Sequence, residues 1–205
     1  MSKRESGRRV RVTPTKPVII VVCDGAKTEP IYFRNFKSRD KLFHVKVVSS
    51  GKNYQDLIKK GLLESNGVES VCDVWCVSDV DADPNTPHNE IFKNQQLKEF
   101  EKQAHKHGFQ IVLSNPCFEL WYLLHFAYST SNMPTYKSVE QKLSANLSGY
   151  NKTKNYFGEL TGRMDEAISN AKKLRKHHEG IGINDFACVA TNPYTDVWKL
   201  VEKVR

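Results

Sequence analysis

PVIIVVCDGAKTEPIYF, residues 17–33, sets an unbroken apolar run against an abrupt stop at Asp24-Gly25, and a second acid, Glu29, follows five positions later. A continuous run of β-branched residues bounded by Pro and Gly is the pattern of a strand covered on both faces, so 17–23 predicts a central parallel strand. Its end admits two readings. Asp and Gly suit the turn that closes a strand, and Thr28 can cap the helix that follows. Alternatively, open α/β sheets bind ligands where their parallel strands end, and carboxylates there can hold a metal. The choice depends on whether other strands deliver acids to the same rim.

Outward from that strand, the pattern alternates. A short helix is expected over 29–39, a second strand over FHVKVVSS (43–50), and an amphipathic helix over 53–65 with Leu57, Ile58 and Leu62 on one face. DVWCVSDVD (73–81) reads as a third strand, 91–108 as a helix stopped at Gly108, and FQIVLS (109–114) as a fourth strand. Such alternation calls for an α/β fold, a parallel sheet with right-handed crossovers and helices on both faces. After Asn115-Pro116, CFELWYLLHFAY reads as a buried helix. Residues 138–147 and 163–178 have helical spacing, the latter with Ala167, Ile168, Ala171 and Leu174 inward and Lys172-Lys173 and Arg175-Lys176-His177-His178 outward. DFACVA (185–190) reads as one more strand, and TDVWKLVEKV closes the chain as a helix. The organisation expected is a flexible basic arm (1–16), an α/β core (17–128) and a mostly helical, basic C-terminal extension (129–205) that can add one strand to the core.

At 205 residues and 39% hydrophobic content, the chain can bury one well-packed core but not two large ones. No apolar run approaches the roughly 18 residues of a membrane helix, and MSKRESGRRVRVTPTK lacks the apolar centre of a signal peptide. A soluble, cytoplasmic protein with no membrane partner is expected. Five cysteines without a C-x-x-C pair argue against a zinc ribbon and for buried free thiols. The net charge of +8 is uneven, because Lys3, Arg4, Arg8, Arg9, Arg11 and Lys16 against Glu5 put +5 into the arm. Such an arm suits attachment to a polyanion such as nucleic acid, or serves solubility alone.

The acids collect where parallel strands end. Asp24 closes strand one, Asp79 and Asp81 close strand three, and Asp83 follows. Alternation along a strand would point Asp79 and Asp81 to the same side. Clustered carboxylates repel one another unless a divalent cation neutralises them, and oxygen-only ligands favour Mg2+ or Mn2+. Taken alone, D-x-D-x-D-P-N is also an ordinary turn sequence.

VVCDGAKTEPIYF, VWCVSDVDAD, SNPCFELWYLLHF, GYNK and NPYTDVWKLVE together resemble the successive motifs of the RloB family, a Toprim-like group that includes AbiLii-type phage-defence proteins. The resemblance runs from about residue 17 to the C-terminus. It implies a Toprim-like fold, a divalent-metal site handling phosphodiesters, and a setting in bacterial defence or restriction loci beside a partner AAA/ABC-type ATPase (RloA-like). By position, Asp24 matches the family's first acid, Glu29 its T-E acid, Asp79 and Asp81 the D-x-D, and Glu119 the acid of P-C-F-E-L-W. Two positions depart from the pattern: Asp24 stands where Toprim proteins usually have Glu, and Val80 where Arg is more frequent.

The function this supports is a Mg2+-dependent nuclease acting on RNA, transfer RNA among them, or on DNA. Asp24, Asp79 and Asp81 are the expected metal ligands. Asp24, Glu29, Glu119 and Lys152 are the catalytic candidates, and Lys27 joins the arm residues as a nucleic-acid contact. Tyr150, Tyr156 and Phe157 around Lys152 suit base stacking, or an ordinary surface loop. Glu119 also suits a helix dipole, and His125 reads as a core histidine. The rival is a non-catalytic subunit that binds nucleic acid or a partner protein through a degenerate Toprim site. Self-association is left open.

Overall fold

The computed structural model describes residues 16–36, 41–51, 53–81 and 87–205. The 17–23 run becomes β1 (Val18–Cys23), flanked by β2 (His44–Ser49) and β3 (Val71–Asp79), with β4 (Gln110–Asn115) beyond β3 and the two-residue β5 (Tyr194–Thr195) at the edge. The order is β2-β1-β3-β4-β5. The first three pairings are parallel, whereas β5 joins β4 antiparallel, so the sheet is mixed rather than wholly parallel.

Each β1 side chain goes to the face its position dictates. Ile19, Val21 and Cys23 enter one apolar cluster, and Ile20 and Val22 the other. Helices α2 (Tyr54–Asn66) and α3 (Pro87–Lys106) cover the second face with Leu57, Ile58, Leu97, Phe100 and Ala104. The opposite face takes α1 (Thr28–Phe33), α4 (Glu119–Leu124), α5 (Tyr136–Ser144), α6 (Phe157–Thr161), α7 (Met164–Gly180) and α8 (Val197–Val204). The C-terminal helices feed this same cluster, Ala167, Ile168, Ala171 and Leu174 among them.

Several expectations are corrected. DFACVA forms no strand: Val189–Thr191 is a 3-10 turn whose first amide goes to the Asn94 side chain at 2.8 Å instead of a neighbouring strand. The added strand is Tyr194–Thr195, placed where Asn192 donates to the Asn115 side-chain oxygen at 3.1 Å, so the two Asn-Pro corners meet. The CFELWYLLHFAY run is helical only over Glu119–Leu124, all six residues being buried. His178 is buried rather than outward, its Nε2 donating to the Pro193 carbonyl at 3.0 Å. Cys23, Cys76 and Cys117 are buried thiols, but Cys72 is exposed. No helix among the described residues is long and apolar enough to cross a membrane.

Candidate functional site

In the observed strand order β1 leads to β2 on one side and to β3 on the other. The crevice between the carboxyl ends of β1 and β3 is therefore the topological switch point, where open α/β sheets place their ligands. Asp24 follows β1 directly and Asp79 is the last residue of β3. The Asp24 carboxylate is turned across the crevice, its Oδ2 accepting the Ser78 hydroxyl at 2.5 Å and the Asp79 amide at 3.1 Å.

Asp81 reaches this rim by a different route from the one strand alternation predicts. The strand ends at Asp79, the Val80 amide bonds the Ser114 carbonyl at 2.9 Å, and Asp81 takes a left-handed backbone with φ of 45°. Aspartate tolerates that conformation better than most side chains. Val80 is fully buried in the apolar cluster that α2 and α3 help to form, which accounts for an apolar residue between the two aspartates. Asp83 lies outside the described residues.

Glu29 arrives from α1. It is buried, and its carboxylate folds back over Gly25: a Cβ at that position would lie 2.4 Å from Glu29 Oε2. Gly25 is thus the clearance that lets Glu29 stand beside Asp24. Burial, then the Asp24 charge, raises the Glu29 carboxyl from its ordinary 4.5 to about 8. Burial also lifts Asp79 well above the carboxylate range, followed by the charges of Asp24, Glu29, Asp81 and Glu119. Asp81 is exposed at the surface, yet the cavity wall beside it and then Asp24 raise its carboxyl, with Lys93 and Lys152 opposing.

Glu119, the first residue of α4, is 1% exposed and has the best-satisfied carboxylate of the group. Its Oε1 accepts the Thr28 hydroxyl at 3.2 Å and the Tyr150 hydroxyl at 3.0 Å, and Lys152 Nζ lies 3.3 Å away. Thr28 is accordingly not the cap of α1, which starts after Lys27 without a side-chain cap. Lys152 is also 3.8 Å from the centroid of the Tyr136 ring. The aromatics flanking it do not form a free stacking platform: Tyr156 is buried, stacks on Tyr150 at 5.3 Å, and Phe157 packs against the core. Lys27 is exposed just before α1 and is not among the residues that line the cavity, and Lys3, Arg4, Arg8, Arg9 and Arg11 lie outside the described residues.

On the α2/α3 side the crevice opens into a cavity of ≈ 690 Å³. Asp24, Ser78, Asp79 and Asp81 form one end, and Tyr54 and Phe100, stacked at 4.7 Å, form a wall. Lys93 Nζ is 5.1 Å from the Tyr54 ring centroid, and burial lowers its pKa while the facing acids Asp81, Asp24 and Asp79 oppose that. Sequence reasoning missed Lys93, Tyr54 and Ser78, and it read Tyr150 as a stacking or surface-loop residue rather than as a hydrogen-bond donor to Glu119. Lys93 sits in a helix polar along most of its length, where nothing distinguishes it from its neighbours.

Five carboxyl side chains from β1, α1, β3 and α4 therefore share one crevice, and only Glu119 has an ion-pair partner among the described residues. As they stand, no three His, Cys, Asp or Glu side chains of the described residues come together closely enough to hold a metal ion. The family model described as RloB-like protein matches residues 19–204. No curated protein and no solved structure matches the chain.

Proposed function

We propose, from the premise that this chain belongs to the RloB-like protein family, that its acidic crevice is a metal-assisted phosphodiester-cleaving centre acting on nucleic acid. The observation that carries the reading is the placement of Asp24, Glu29, Asp79 and Asp81, without ion-pair partners among the described residues, at the β1/β3 switch point. In a protein of net charge +8, no lysine among the described residues is paired to these acids, which leaves them in need of another cation.

The donor set fits a hard divalent ion. Magnesium is commonly held by one or two carboxylates, with water and substrate phosphate filling the rest of its shell, so a complete protein cage is not required. Asp24 with Asp79 or Asp81 would hold Mg2+ or Mn2+, which supplies charge neutralisation and polarises a phosphoryl oxygen when bound. The chain's own groups do the remainder. Ser78 and the Asp79 amide fix the orientation of the Asp24 carboxylate. Glu29 holds a proton near neutral pH and can exchange it with a reacting oxygen. Lys93 offers a positive charge to phosphate from α3, and Lys152 pairs with Glu119 beside the crevice.

In this reading the protein is the nuclease effector of a bacterial anti-phage or restriction-associated system and is gated by a partner ATPase. A non-catalytic binding subunit is the second reading, favoured by the absence of a ready-made metal triad among the described residues. Incubation of the protein with labelled transfer RNA, single-stranded RNA and DNA separates them, with Mg2+ or Mn2+ and with or without the ATPase. Cleavage lost in Asp79→Asn supports the enzyme; binding without cleavage under every condition supports the rival.

A further inference from the structure

The cavity beside the acids has features that cleaving a phosphodiester does not by itself require. Its volume of ≈ 690 Å³ falls within the range of about 300–1,000 Å³ typical of small-molecule sites. Its wall is aromatic: the half-buried Tyr54 ring fronts the cavity, backed by the buried Phe100 ring stacked on it at 11° from parallel, with Ile58 beside them. Around that wall stand the side-chain amides of Gln55 and Gln96, which carry both donors and acceptors and hold no partner among the described residues. Lys59 is similarly uncommitted, while Lys93 stands between the aromatic wall and the acids.

An aromatic ring on the cavity wall, bifunctional amides at its edge and a cation toward the phosphate-handling end form the recognition set of a nucleobase joined to a phosphate. We propose that this cavity is a nucleobase slot, holding the base of one nucleotide against Tyr54 while its phosphate lies between Lys93 and the Asp24–Asp79–Asp81 end. The base is read at its edge by Gln55 and Gln96. This inference rests on the phosphodiester reading of the acids, because a phosphate can approach them only when a divalent cation offsets their charge. The base belongs either to a free nucleotide or to a residue splayed out of a single strand.

Calorimetry with the full chain tests the slot without relying on turnover. The titrants are adenosine, guanosine, cytidine and uridine 5′-monophosphates, ribose 5-phosphate and inorganic phosphate, each with and without Mg2+. At least one nucleotide should bind in Mg2+ at least about tenfold more tightly than ribose 5-phosphate, since stacking of one base is worth roughly that or more. Gln55→Ala with Gln96→Ala, at exposed and unpartnered positions, should remove most of that preference with an unchanged melting temperature. Tyr54→Ala should remove it too. Ribose 5-phosphate binding as tightly as every nucleotide overturns the slot and leaves the phosphodiester reading standing. A base preference that survives without Mg2+ supports the slot and counts against that reading. The sources are separated with a short single-stranded oligonucleotide. A free-nucleotide pocket binds the monophosphates and ignores the strand, whereas a splayed-base pocket binds the strand in competition with them. A strand that binds without competing, its affinity unaffected by the Gln55/Gln96 pair, overturns the second source.

Discussion

The Ser78 hydroxyl donates to the Asp24 carboxylate at 2.5 Å, so the acid that ends β1 is oriented by β3. Hydrogen bonds to charged groups contribute about 1.5–3 kcal/mol, and the Asp79 amide at 3.1 Å remains when the hydroxyl is removed. Ser78→Ala should therefore destabilise the fold by about 1–2 kcal/mol in denaturant titration and leave Asp24 free to swing. Cleavage should fall more steeply than stability. Wild-type activity in Ser78→Ala would separate Asp24 from the chemistry.

Gly25 provides a second lever on the same crevice. Its replacement by Ala puts a methyl 2.4 Å from Glu29 Oε2 and 2.6 Å from Oε1, forcing the carboxylate away from Asp24. Crowding of this kind costs about 1–3 kcal/mol in a packed site. In a Glu29→Ala background the same Gly25→Ala change should cost close to nothing, and the coupling in that double-mutant cycle measures the contact directly. Equal costs in both backgrounds would place Glu29 elsewhere in solution.

Glu119 and Lys152 should respond asymmetrically. Removing the lysine leaves a carboxylate 1% exposed with only the Thr28 and Tyr150 hydroxyls, whereas removing the carboxylate charge leaves a lysine side chain that is 43% exposed and can turn to water. Breaking a fully buried pair costs about 3–5 kcal/mol, and partial exposure of Lys152 scales that down. Lys152→Met should lose about 1–3 kcal/mol by thermal or urea melts. Glu119→Gln, which keeps an acceptor for both hydroxyls, should lose less. The reverse ranking would mean that Lys152 does not serve Glu119.

Much of this arrangement was legible in the sequence because its signals are local. A β-branched run ending in Asp24-Gly25 dictates a buried strand with an acid at its tip, and 73–79 repeats the pattern with Asp79, so the shared rim follows once the strands are parallel. Asp81 was placed at the rim for an incorrect reason, since strand alternation stops at Asp79 and a left-handed residue turns the chain. The fifth strand escaped because two residues pair through Asn-Pro corners 77 positions apart, which no periodicity announces. Tyr150 and Tyr156 looked like a stacking surface because exposure is decided by helices packed from elsewhere in the chain. Lys93 and Tyr54 were invisible for the same reason: they meet across two helices, and only the cavity between them gives either a role.

The pH dependence of the protein without metal follows from Glu29. Its carboxyl is raised to about 8 in the folded chain against an ordinary 4.5, so between those values the folded state carries a proton that the unfolded state has released. Stability is then fully present below the lower value, declines as pH rises, and levels off above the folded value, with a slope of at most about 1.4 kcal/mol per pH unit for one proton. Asp79, raised in the same direction, adds to the decline. Glu29→Gln should remove one proton from the slope, leaving the variant close to wild type at acid pH and more stable than wild type at pH 9. Metal competes with these protons, so Mg2+ affinity measured by calorimetry should increase with pH through the same interval and release protons to the buffer. A wild-type stability curve flat from pH 5 to 9, unchanged in Glu29→Gln, would show that the crevice acids do not share the low-dielectric, mutually repelling environment on which the metal reading depends.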